Sequence, residues 1–113
     1  MNEPHESPRI ERDLHVQIVR FLVDPGYADD LIGTIHAHID EWIRHCDGFV
    51  STTFHKSRDG AHVVNYAQWR DRESFERFRK HPRNAELVDA IASNEPKRAA
   101  ANGFEVLFSV LAP

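Results

Sequence analysis

The sequence predicts an α+β domain of ferredoxin-like order, β-α-β-β-α-β, with a four-stranded antiparallel sheet and both helices on one face. Three observations predict it. β-branched and aromatic runs stand near both ends of the chain, an Asp-Gly pair joins two such runs in the middle, and an amphipathic helical stretch follows the first and the third run.

The first strand is read over Leu14 to Val23, LHVQIVRFLV, which Asp24-Pro25-Gly26 stops with turn chemistry. From Ala28 to about Cys46, Leu31, Ile32, Ile35, Ile39, Trp42 and Ile43 recur at three-to-four spacing and form one apolar stripe. Asp47-Gly48 ends this helix, with Gly48 suited to a left-handed C-terminal position. Phe49 to Lys56 and His62 to Arg70 then read as a hairpin around Ser57-Arg58-Asp59-Gly60. Asp71 is the expected N-cap of a short helix in which Phe75 and Phe78 share a face, and Pro82 interrupts it. A further helical piece is expected over Asn84 to Ser93, then a loop over Asn94 to Asn102, then a last strand in GFEVLFSVLA.

At 113 residues the chain has room for one core, and residues 13–113 are read as a single domain behind an N-terminal arm, 1–12, that is polar, carries two prolines and is expected to be flexible. The hydrophobic share of 41% and the charged share of 28% match ordinary globular domains, and no apolar run approaches a membrane span, so no membrane partner is expected. Without the apolar stretch of a secretory signal, a cytoplasmic location is expected. The net charge of -4, with Asp71, Glu73 and Glu76 interleaved among the arginines of 70–83, argues against nucleic acid. Cys46 is the only cysteine, which excludes an internal disulfide and a multi-cysteine zinc site. His38, Glu41 and His45 fall at helical spacing but off the buried stripe, which reads as a solvated face, and no metal is expected.

Helices on one face leave the other face of the sheet bare. Gln17, Thr52 and Gln68 are suited to solvate it, whereas Val19, Phe21, Val50, Phe54, Val64 and Tyr66 fall on related alternate positions. That pattern predicts a homodimer with two sheets face to face.

The stretch VNYAQWRDRESFERFRKHP, Val64 to Pro82, holds the chemistry. Along a strand Asn65, Ala67 and Trp69 share one face. If they face the helices, a carboxamide and an indole border a gap left by the alanine, suited to a planar oxygenated aromatic. The competing account is an ordinary core tryptophan and a locally satisfied asparagine.

GFVSTTFHKSRDGAHVVNYAQWRDRESFERFRKHP resembles the antibiotic biosynthesis monooxygenase domain in its Gly-Phe strand start, its Asn-x-x-x-Trp strand end and the Phe that follows. The resemblance implies a dimeric α+β barrel with a pocket between sheet and helices in each subunit. It further implies oxidation of an anthrone or phenol-type polycyclic aromatic of a polyketide pathway to a quinone, with O2 as co-substrate and no cofactor. An electron-rich phenolate reduces oxygen itself, so the protein binds a flat ring, stabilises its anion and excludes water. Asn65 and Trp69 take the catalytic places, and Phe75, Phe78 and His36 join them in the expected substrate site. A tyrosine six residues after the Trp, found in some members, is here Phe75, and an arginine further on falls at Asp89, so the proton-transfer group is left open among His36, His38, His15, Tyr66 and Arg79.

Three other readings stand beside it. A haem-degrading branch of the fold needs groups that this chain replaces with Phe78 and Val88. A non-oxidative cyclase or isomerase of polyketide tailoring uses a similar pocket. A catalytically inactive ligand-binding dimer fits the missing tyrosine and arginine.

Overall fold

A computed structural model of the chain describes residues 7–113, so the first half of the expected N-terminal arm lies outside the described residues. Strand β1 (His15–Leu22) is followed by a short 3-10 turn and helix α1 (Ala28–Glu41). The hairpin β2 (Phe49–Lys56) and β3 (His62–Trp69) comes next, then α2 (Arg72–Arg79), α3 (Asn84–Ser93) and β4 (Arg98–Glu105). The sheet has the order β2-β3-β1-β4, and each neighbouring pair is antiparallel. This is the ferredoxin-like α+β fold, with a four-stranded antiparallel sheet and the helices on one face.

The local signals act as read. Asp71 caps α2, its Oδ1 accepting from the Ser74 amide at 2.8 Å. Gly48 has φ +85°, and a side chain there would collide with Ser74. The first helix ends at Glu41 instead of near Cys46, because Trp42 leaves helical geometry at φ -146° and a short 3-10 turn, Ile43–His45, follows. The Cys46 thiol bonds to the Trp42 carbonyl oxygen at 3.6 Å, and burial raises its pKa, which keeps it protonated and unreactive.

Two expectations need correction. The last strand is Arg98–Glu105 and not Gly103 to Ala112. The reason lies in β1, which begins at His15 opposite Glu105, so residues beyond Glu105 find no strand to pair with in this chain. The polar, alanine-rich stretch read as a loop is drafted into the ladder instead, from the bond of Lys97 N to Leu22 O onward. Leu107, Phe108, Val110 and Leu111 are left 69% to 91% exposed.

The second correction concerns the faces of the sheet. Val19, Phe21 and Phe54 point at the helices, with Phe21 buried in the core and the other two packed against it. The bare face carries the half-buried Val64 and Tyr66 and the buried Gln68, as expected, together with the half-buried Ile18 and Leu22 and the buried Val16. Gln17 and Thr52 also turn to the helix side, where they line a cavity. Strand alternation gives two faces without saying which is inside, and a register shift between Phe49 and Ser51 puts β2 out of simple alternation. On the bare face the segment before β1 is tied down: the Gln68 amide donates to Arg9 O at 2.7 Å and its Oε1 accepts from Glu11 N at 3.1 Å.

Candidate active site

The inner face of the sheet is a grid of side chains set by strand register. One row holds Phe49, Trp69, His15 and Glu105, taken across β2, β3, β1 and β4. The next holds Thr52, Ala67, Gln17 and Gly103, and the third Phe54, Asn65, Val19 and Ala101. Ala67, Gly103 and Ala101 are small where their neighbours are large. Ala67 and Ala101 leave room above the sheet, and a cavity of about 530 Å³ lies between sheet and helix layer. That size suits a drug-sized or polycyclic ligand.

Aromatic rings make one end of this cavity. Trp69 is 2% exposed, meets Phe49 edge-on at 5.3 Å and stacks on Phe78 at 5.0 Å. Phe75 closes the corner, 6.1 Å from Trp69 and 6.0 Å from Phe78. Ile35, Ile39, Ile43, Leu87 and Ile91 form the apolar roof, and Arg79, Asn84 and the exposed Val88 stand where α2 and α3 part around Pro82. Arg79 is held by Glu76 at 2.7 Å.

Few polar atoms interrupt this lining. The Thr52 hydroxyl donates to Asn65 Oδ1, which turns the Asn65 amino group into the donor left for a ligand. Gln17, one row away on β1, lies at 3.1 Å from the His15 imidazole through its Oε1. A carbonyl oxygen only accepts, so the facing His15 Nε2 carries the proton. Gly103 permits this arrangement, because a Cβ there would come within 3.0 Å of His15 Cε1 and 3.4 Å of Gln17 Oε1. The cavity wall thus offers carboxamide donors in a mostly apolar, partly closed space, where a hydrogen bond to an anion is strong.

Asn65, Trp69, Phe75 and Phe78 all line this one cavity. His36 does not. It lies on the outer side of α1 with its side chain 68% exposed, 3.4 Å from Asp40. Among the other open candidates, His38 accepts the Trp42 indole N–H at 2.9 Å, and Tyr66 is on the opposite face of the sheet. Asp89 is exposed and does not line the cavity. Gln17 and Thr52 escaped the sequence reading as site residues. Their signal was position: each sits opposite Ala67, the gap between Asn65 and Trp69. Among the described residues no three His, Cys, Asp or Glu side chains are grouped to hold a metal.

Comparison with known proteins agrees with this architecture. The chain is 44% identical over 71 residues to the tetracenomycin-F1 monooxygenase of Streptomyces glaucescens, a match spanning 63% of each protein. A crystal structure of a monooxygenase from the gene ActVA-Orf6 of Streptomyces coelicolor, in complex with nanaomycin D, superposes with a TM-score of 0.81 at 35% identity, covering 90% of this chain and 95% of that one. SnoaB of Streptomyces nogalater, described as a cofactor-independent oxygenase, shares the fold at 21% identity and a TM-score of 0.70, over 87% of this chain and 97% of its own. Residues 14–90 match the family described as antibiotic biosynthesis monooxygenase, and the chain belongs to that family.

Proposed function

We propose that this protein is a monooxygenase that oxidises a phenolic or anthrone-type polycyclic aromatic to a quinone with O2 and no bound cofactor. One observation carries the reading: an apolar cavity of about 530 Å³, walled by Trp69 and phenylalanines, in which the Asn65 carboxamide is held as a donor by Thr52. The family relationship and the nanaomycin D bound to the 35% identical relative support it.

For an anthrone the balance is simple. The ring methylene loses two hydrogens and gains one oxygen atom, and the second oxygen atom leaves with those hydrogens as water. Deprotonation to the phenolate makes the ring a reductant for O2. Asn65 stabilises that anion through its Nδ2 hydrogens, Trp69 and the phenylalanines fix the ring plane, and the apolar roof keeps water from the reactive carbon.

We further propose that the protein works as a homodimer through the bare sheet face. Ile18, Leu22, Val64 and Tyr66 on that face are half-buried in a single chain, and the exposed apolar stretch Leu107–Leu111 adds surface that a second copy would cover. Sedimentation at micromolar concentration checks this, with a monomer as the contrary result.

Phe75 and Asp89 favour one second reading, a ligand-binding protein without turnover. Oxygen uptake on addition of a generic anthrone such as dithranol separates the two. Saturable uptake supports the oxygenase, whereas tight ring binding without uptake selects the binding protein.

A further inference from the structure

We infer that His15 is the base that takes the substrate's proton; the inference rests on the oxygenase reading. That reaction begins by removing a proton, yet the polar side chains lining the cavity are Gln17, Thr52, Asn65, Arg79 and Asn84. Carboxamides, a hydroxyl and a guanidinium do not accept protons at neutral pH. The base is therefore to be found where the cavity meets its neighbouring groove, at an edge that a substrate hydroxyl can reach.

His15 is placed for it. It occupies the strand position directly opposite Trp69, and its ring lies 5.3 Å from that of Phe75. It lines a second groove, of about 480 Å³, that shares Gln17, Phe75 and Arg79 with the cavity and opens towards solvent. Gln17 Oε1 holds the Nε2 proton at 3.1 Å, which leaves the basic lone pair on Nδ1. The other candidates are engaged elsewhere: His38 by Trp42, His36 by Asp40 on the outer surface, and Glu76 by Arg79.

In the transfer the substrate O–H bond breaks, an N–H bond forms at Nδ1, and a phenolate and an imidazolium result. The imidazolium's positive charge then stabilises the anion it has created, and its proton returns to the departing oxygen atom, which leaves as water. Glu105 of β4 and Arg72, Glu76 and Arg79 of α2 are the charged groups around that groove.

The test compares wild type with His15→Ala and His15→Gln in oxygen uptake with dithranol across pH 5 to 9. A general base is worth about 100-fold or more. The expected result is a loss of that size in kcat with KM nearly unchanged, disappearance of the acidic limb of the pH profile, and recovery of His15→Ala by added imidazole. Activity of His15→Ala within about threefold of wild type with an unchanged pH profile would overturn the assignment, as would a failure of imidazole to rescue a folded variant.

A second readout does not need turnover. A hydroxyanthraquinone dye such as alizarin changes colour on ionisation, and bound to wild type it should ionise at lower pH than when bound to His15→Ala. Equal ionisation in both proteins contradicts the role of His15. A wild type that ionises the dye but consumes no oxygen leaves His15 as the base and sinks the oxygenase reading instead.

Discussion

Replacing Asn65 by alanine distinguishes a working carboxamide from a packing one. The side chain is half-buried and makes one hydrogen bond, accepting from Thr52, on the border of a cavity that already exists. Its truncation enlarges that cavity without opening a new void in the core. The folding cost is therefore that of one modest hydrogen bond, about 1 kcal/mol. Removing a donor aimed at a developing oxyanion costs about 100-fold to 1,000-fold in kcat, or roughly 3–4 kcal/mol. The two losses differ by enough to be told apart. Urea denaturation gives the first and steady-state oxygen uptake at saturating anthrone the second. Asn65→Asp extends the test, because it keeps the shape, puts a carboxylate beside the phenolate, and should lose at least as much activity. A fall in rate below about tenfold, or a rate that simply follows the folded fraction, would refute the reasoning.

Other perturbations follow from the same geometry. Thr52→Val keeps the volume and frees the Asn65 amide to rotate; losing about 1 kcal/mol of orientation predicts a five- to tenfold lower kcat with little change in thermal midpoint. Trp69→Ala should destabilise by about 3–5 kcal/mol, since the ring is 2% exposed and packed by three phenylalanines, so Trp69→Phe is the variant in which kinetics can be read on a folded protein. Bonds from the Ser74 hydroxyl and amide hold the Asp71 carboxyl down at about 2, against an ordinary 3.8. The lowered folded value means that the cap's contribution is complete above the ordinary value and is lost as pH falls through about 2. The gap in thermal midpoint between wild type and Asp71→Ala should accordingly be wide at pH 6 and close towards pH 2.

Much of this arrangement was legible in the residues. The Asp59-Gly60 hairpin, the Asp71 cap, Gly48 and the Pro82 break are local signals whose physics acts within a few residues, and they placed most element boundaries correctly. Asn65, Ala67 and Trp69 were legible as one face because a strand alternates whatever its surroundings. What failed was non-local. The strand Arg98–Glu105 is polar and alanine-rich, with every residue exposed, and only its pairing with β1 makes it a strand. Val19, Phe21 and Phe54 were assigned to the bare face because alternation does not tell inside from outside. Gln17 and Thr52 became visible as site residues only when the register put both beside Ala67. His36 had the right chemistry, but it stands on the solvent side of α1.

The most direct test of the central claim uses isotopically labelled oxygen and protein freed of metal by chelation. A single turnover with an anthrone should place one labelled atom in the quinone and the other in water, at a rate unchanged by the chelator. Quinone without label, or a rate that returns only when a metal or flavin is added back, would contradict it.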